Sequence, residues 1–228
     1  MKGGEALVSY SWVGQKVELV VSGKPQPCIG TLIDVGDDIL VFTIDNRFYY
    51  VPVKHLHHVK SVLYDESVIA SPTENPMDPV NGERNSYRKI LMNARGLFVE
   101  LYVTGTYSLS GYTTSIMNDY LVFYSSVFHT VYVSLDHLKC IMPYPLDTVP
   151  YSVEKEQITV KPSAMTLARS FEQQLKKMEG RMVVLDLGDA PDKIGLVQSV
   201  DQGMLTLLTA EGRPITWNVC HIKSAHNP

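Results

Sequence analysis

The segment "FYYVPVKHLHHVKSV" (residues 48–62) closes on a histidine, an apolar residue, a lysine and a serine. The same kind of ending returns twice, in "DHLKCI" (136–141) and in "CHIKSA" (220–225). Three histidines beside lysines suit either a reactive constellation or one structural element used three times. What lies upstream decides between them. Aligning the endings on His58, His137 and His221 brings three longer stretches into line. In each, a glycine (Gly14, Gly96 or Gly180) opens an alternating run at 17–21, 99–103 or 183–187. A turn rich in Gly, Pro, Asp or Ser follows, and then a second glycine: Gly30, Gly111 or Gly195. A short polar turn comes next ("GDD", "MND", "DQG"), then an apolar strand around Leu40, Leu121 or Leu205. The closing runs are "FYYVPV", "TVYVSL" and "PITWNV". Self-similarity of this kind marks a repeat architecture.

Alternation in runs rich in Val, Ile, Tyr and Thr, bounded by turn residues, predicts strands, about five in each unit. A glycine inside a strand pattern marks a bend or a close backbone approach. A short sheet that bends hard removes its exposed edges by closing. The expected fold class is therefore mainly β: three tandem Sm-like or SH3-like five-stranded barrels, with one or two short helices preceding the later repeats. The expected division is a barrel over 10–63, a linker over 64–84, a barrel over 85–143, a linker over 144–162, and a helix plus barrel over 163–226. Both linkers are rich in Pro and in polar or acidic residues, and "QITV" (157–160) adds a candidate strand to the second. One helix is expected at "SYRKILMNA" (86–94). Another is expected after an N-cap at Ser163, because Leu167, Phe171, Leu175 and Met178 recur at helical spacing and Gly180 ends the pattern.

With 228 residues, 45% of them apolar, the chain can bury real cores. Its formal net charge of -4 lacks the basic balance of a dedicated nucleic-acid binder. Cys28, Cys140 and Cys220 form neither a CxxC pair nor an even framework, so buried thiols in a reducing compartment are expected rather than disulfides. The N-terminal "MKGGEALVSYSWVG" has no apolar signal core, and no apolar run reaches membrane-spanning length. Synthesis in the cytoplasm is the expectation, without a membrane partner.

At this point the residues resemble a known family. The pattern G-x-x-V … G-x-L-x-x-V-x-x-D-x-L-x-F … Y-Y-x-V-x-x-x-H-V-K-S-V is similar to the Sm-like repeat of spore coat proteins of the CotB type and related small Bacillus proteins. "FYYVPVKHLHHVKSV" matches best, and the third unit, "PITWNVCHIKSA", keeps the ending but loses the paired tyrosines. The resemblance implies a structural protein of the spore, made in the mother cell and working through contacts with other coat proteins.

Sharper chemistry finds little support. RNA-binding Sm proteins hold a base with an Asp and Asn after the bent strand and an Arg-Gly on the late turn. Here only Asn118, Arg47 and Arg213 echo those positions, and single-strand binding wants a basic groove beside stacking aromatics. His55 and His57 share a strand face, but no Cys or carboxylate at zinc-like spacing completes a ligand set. No G-x-S-x-G, P-loop, G-x-G-x-x-G or H-E-x-x-H is present. Cys220 and His221 are strand neighbours that point to opposite faces, so Cys140 and Cys220 are expected to be buried small hydrophobes. No catalytic, cofactor or metal residues are expected, and no enzyme. Alternating tyrosines in the second unit ("ELYVTGTYSLSGY", "DYLVFYSS") offer a candidate contact surface. The expected function is non-enzymatic scaffolding in the bacterial spore through protein contacts; the alternative is an Sm-like nucleic-acid-binding or regulatory protein.

Overall fold

The computed structural model describes residues 10–62, 75–77, 84–104, 107–145, 147–148, 150–152 and 165–228. Strands dominate, as the alternation predicts. In the first repeat they are β1 (Lys16–Val21), β2 (Cys28–Val35), β3 (Ile39–Ile44), β4 (Arg47–Pro52) and β5 (Leu56–Ser61). In the second they are β6 (Phe98–Thr104), β7 (Tyr107–Ile116), β8 (Tyr120–Ser125), β9 (His129–Ser134) and β10 (Cys140–Pro143). The third has β11 (Met182–Leu185), β12 (Ile194–Asp201), β13 (Met204–Thr209), β14 (Pro214–Asn218) and β15 (Ser224–His226).

The second glycines fall on equivalent positions of the second strand, and geometry explains them. Val17 pairs with Gly30 and Val183 with Gly195. A Cβ on Gly30, Gly111 or Gly195 would run into the backbone carbonyl of Thr43, Tyr124 or Leu208 on the third strand. Only glycine lets the two backbones approach so closely. Just beyond, each second strand slips register: between Leu32 and Asp34, Thr113 and Ser115, and Val197 and Ser199. Such bulges bend a strand and increase its twist. The bend inferred from the glycine is thus built from a glycine and a bulge together.

The chain divides into two compact units, Met1–Leu109 with Lys139–Thr148, and Ser110–Leu138 with Val149–Pro228. The strands of the second repeat are shared out: β6 and β10 belong to the first unit, while β8, β9 and most of β7 belong to the second. Within the first unit the antiparallel order is β6–β10–β4–β3–β2–β1–β5. Within the second it is β14–β13–β12–β11–β15–β9–β8–β7. Self-closed barrels are therefore corrected to open antiparallel sheets. Among the described residues β4 pairs with β10 rather than with β5, and β9 pairs with β15 rather than with β10. The edge problem is solved between repeats instead of within them.

Each unit has its own core. Val17, Leu19, Leu32, Leu40, Phe42 and Val51 form the first, and Leu185, Val197, Leu205, Leu207, Ile222 and Ala225 contribute to the second. Burying one such side chain stabilises by roughly 1.5–3 kcal/mol.

Both expected helices are present. Helix α1 (Tyr87–Asn93) is capped by Ser86, whose hydroxyl accepts from Lys89 N at 3.4 Å. Helix α2 (Phe171–Lys176) starts later than the spacing suggested. Its cap is Ser170, accepting from Gln173 N at 3.4 Å, so Leu167 precedes the helix. Ser163 and the 157–160 segment lie outside the described residues. Gly180, at φ 76°, ends the turn and donates to Val197 O at 2.9 Å.

Candidate functional site

The elements that combine two repeats are the fourth strand of one and the last strand of the next. Pairings with the first strands fix which residues correspond: Leu19 faces Val59, Leu101 faces Ile141, and Leu185 faces Ala225. Val59, Ile141 and Ala225 therefore hold one position. Val53 donates to Asp38 O at 2.9 Å and Leu135 donates to Asp119 O at 2.8 Å. Backbone alternation in an antiparallel ladder then turns the N–H and C=O of Tyr50 and Tyr132 to the outer edge. There Tyr50 meets Ile141, and Tyr132 meets Ala225. All four are essentially fully buried. The same junction thus occurs twice, once in each unit.

A second connection accompanies each junction. Asp38 accepts a hydrogen bond from Tyr87 N at 2.6 Å, and Asp119 accepts one from Phe171 N at 2.8 Å. Beside them, Asp37 N donates to Asn85 O and Asn118 N donates to Arg169 O. The polar turn after each bent strand therefore holds the first turn of the helix that leads the next repeat, where free N–H groups and the helix dipole favour a carboxylate. In the third repeat Gly203 stands at this position, and its N–H is taken by Glu172 at 2.8 Å.

The structure moves one sequence correspondence. The equivalent histidines are His55, His137 and His221, not His58: the 3-10 turns Val53–His55 and Val219–His221 align, and Leu56 and Ile222 follow them. His58 lies three residues further on, exposed on β5, with His57 beside it. His55 is buried, with Nδ1 3.4 Å from Ser22 Oγ, and its carbonyl accepts from Ser22 N. His137 places Nε2 2.8 Å from Cys220 O, so these rings fasten the turn. Among the described residues no group of three or more His, Cys, Asp and Glu is gathered as a metal site would need.

Cysteines divide differently from the expectation. Cys28 and Cys140 are buried, and burial pushes the Cys140 thiol up to about 12, so it stays protonated and unreactive. Cys220 is exposed rather than buried. Of the tyrosines offered as a contact surface, Tyr102, Tyr120, Tyr124 and Tyr132 lie in cores, whereas Tyr112 is half-buried and the side chain of Tyr107 lies outside the described residues. Burial, with Tyr132 and Asp119 nearby, raises the Tyr120 hydroxyl to about 12, and it donates to Ala168 O at 2.8 Å. Arg47 is committed: it forms a 2.7 Å ion pair with Glu100 and lies 4.6 Å over the Tyr144 ring. Arg213 is exposed, with a 3.6 Å pair to Glu211. Sequence reasoning missed His226, which is buried with Nδ1 2.7 Å from Asn227 O and its ring 5.4 Å from Phe128.

Set beside known proteins, the chain is 40% identical over 215 residues to the uncharacterized protein YwrJ of Bacillus subtilis (strain 168), covering 93% of this chain and 95% of that one. The chain belongs to the YwrJ family. Residues 170–225 match the family described as the YwrJ third domain. That span runs from the cap of α2 into β15 and takes in all but the last residue of the third repeat as the strands define it. No solved structure matches.

Proposed function

We propose that this member of the YwrJ family is a non-enzymatic scaffolding protein of the bacterial spore, built from three Sm-like five-stranded units and acting through protein contacts. The observation that carries it is the use of strand edges. Twice, one repeat receives the next along its fourth strand, and the turn carboxylates that could serve a ligand hold helices instead. Such edges bind protein through main-chain hydrogen bonds, with neighbouring side chains setting the register. Support for the spore comes from the resemblance of "FYYVPVKHLHHVKSV" to the CotB-type repeat and from a relative in a Bacillus. The partners would be other coat proteins, and synthesis would be in the mother cell.

The test is fractionation of a sporulating culture that expresses the tagged chain. Recovery in the coat extract of washed spores is the expected result. Confinement of the chain to vegetative lysate, with none in purified spores, overturns the assignment.

A further inference from the structure

Each junction has two halves, and one of each is left over. Val219 donates to Gly203 O at 2.7 Å, as Val53 does to Asp38 and Leu135 to Asp119. Thr216 on β14 therefore stands where Tyr50 and Tyr132 stand, with its N–H and C=O turned outward. On β5, Val62 donates to Lys16 O at 3.0 Å. That turns Val59, the counterpart of Ile141 and Ala225, outward as well. Among the described residues β5 is one end strand of the first unit's sheet and β14 is one end strand of the second's.

Burial separates the used halves from the unused ones. β9 ends in four buried residues, β4 in three, and β10 and β15 are buried throughout. β14 instead alternates exposed and half-buried, and β5 has no buried residue. Thr216 replaces a buried tyrosine. An open edge is a template for another strand unless it is blunted. Pro214, at the start of β14, removes one outward donor there and leaves the outward N–H of Thr216 intact.

We propose that β14 of one chain pairs antiparallel with β5 of a second copy, Thr216 opposite Val59, as a third instance of the junction. The registers of Val133 with Ser224 and Val131 with His226 then place Trp217 opposite His58 and Ile215 opposite Lys60. The contact is heterologous: β14 of one copy meets β5 of another, and each copy carries both halves, so assembly closes or propagates. It rests on the scaffolding reading only in taking strand edges as the contact surface, and it is independent of the spore.

The experiment uses purified full-length protein and light scattering behind size exclusion. Wild type is expected at no less than twice the 25.5 kDa chain mass, rising with concentration. Thr216→Pro and Val59→Pro each remove one outward N–H and leave the inner ladder its donors, so each alone is expected to be monomeric. Mixed in equal amounts, they restore one intact junction and give a species of twice the chain mass. Thr216→Lys, which keeps every backbone donor and loses only the exposed hydroxyl contact with Thr206, reports on β14 should a proline variant unfold. It is expected to be monomeric alone and to shorten wild-type assemblies on mixing. Wild type that stays at the chain mass overturns the proposal, as do variants that assemble like wild type. Failure of the two proline variants to pair, when both are folded by circular dichroism, would point to a symmetric contact and also overturn it. Assembly in solution without recovery in spores would sink the spore assignment alone.

Discussion

Asp119 holds the backbone N–H of Phe171 at 2.8 Å, reaching from a turn of the second repeat to the first residue of the helix that leads the third. Asp38 does the same for Tyr87 one repeat earlier. A carboxylate that looks like a ligand group on the bent-strand turn is thus a helix cap supplied from a distance.

Removing that carboxylate should loosen the connection. Capping interactions of this kind contribute about 1 kcal/mol, and hydrogen bonds to a charged acceptor about 1.5–3 kcal/mol. Asp119→Ala is expected to lower the stability of its unit by about 1–2 kcal/mol in urea titration, and Asp119→Asn, which keeps an acceptor oxygen, by less. Equal midpoints for Asp119→Ala and wild type would remove the cap from this account.

The glycines separate two physical causes. Gly14 has φ 85° and open space around its Cβ position, so Gly14→Ala meets only the backbone penalty of the left-handed region, about 1–2 kcal/mol. Gly195 has an ordinary strand conformation, but a Cβ there would meet the Leu208 carbonyl. Overpacking against backbone costs about 3 kcal/mol, the upper end of its usual range. Gly195→Ala is expected to be the more damaging of the two in thermal unfolding; the reverse order would contradict the close approach.

Much of this was legible in sequence because glycine and alternation carry backbone geometry directly. Gly30, Gly111 and Gly195 marked the bend, and the runs at 17–21, 99–103 and 183–187 marked first strands. The histidine register misled because "HVKS" at 58–61 imitates "HLKC" and "HIKS" more closely than "HLHH" at 55–58 does. The true match needs Leu56 over the core and Val59 opposite Leu19, which are tertiary facts. Ser170 followed by Gln173 carried the capping signal for α2, but helical spacing back to Leu167 obscured it. Pairing of β4 with β10 was not legible at all. A fourth strand with an apolar edge looks the same whether its own fifth strand or that of the next repeat covers it.

His226 gives the second unit a pH dependence. Burial lowers its pKa below the ordinary histidine value, with His129 adding to the effect and the hydrogen bond to the Asn227 carbonyl opposing it. The folded state therefore favours the neutral ring, while the unfolded chain takes up a proton near pH 6.5. Stability contributed by the neutral ring is complete above that value and is lost as pH falls from about 6.5 through the lower folded pKa. His226→Gln is expected to flatten the loss of stability between about pH 7 and pH 5 relative to wild type. Parallel curves for the two proteins would show that the ring does not contribute.

The alternative of RNA binding makes its own demand on Asn118 and Arg47. Base recognition needs both side chains free to meet a ligand, and phosphate contact needs clustered cations whose binding weakens steeply with salt. Arg47 instead bonds Glu100 and packs on Tyr144, Asn118 is engaged through its backbone N–H to Arg169 O while its side chain is exposed, and the chain's formal charge is -4. Labelled oligo(U) and oligo(A) are therefore expected to bind no more tightly than the roughly micromolar limit of non-specific association at physiological salt. Asn118→Ala and Arg47→Ala should leave that weak signal unchanged in anisotropy titrations. Submicromolar binding that collapses with salt and with either substitution would replace the scaffold by a nucleic-acid-binding protein.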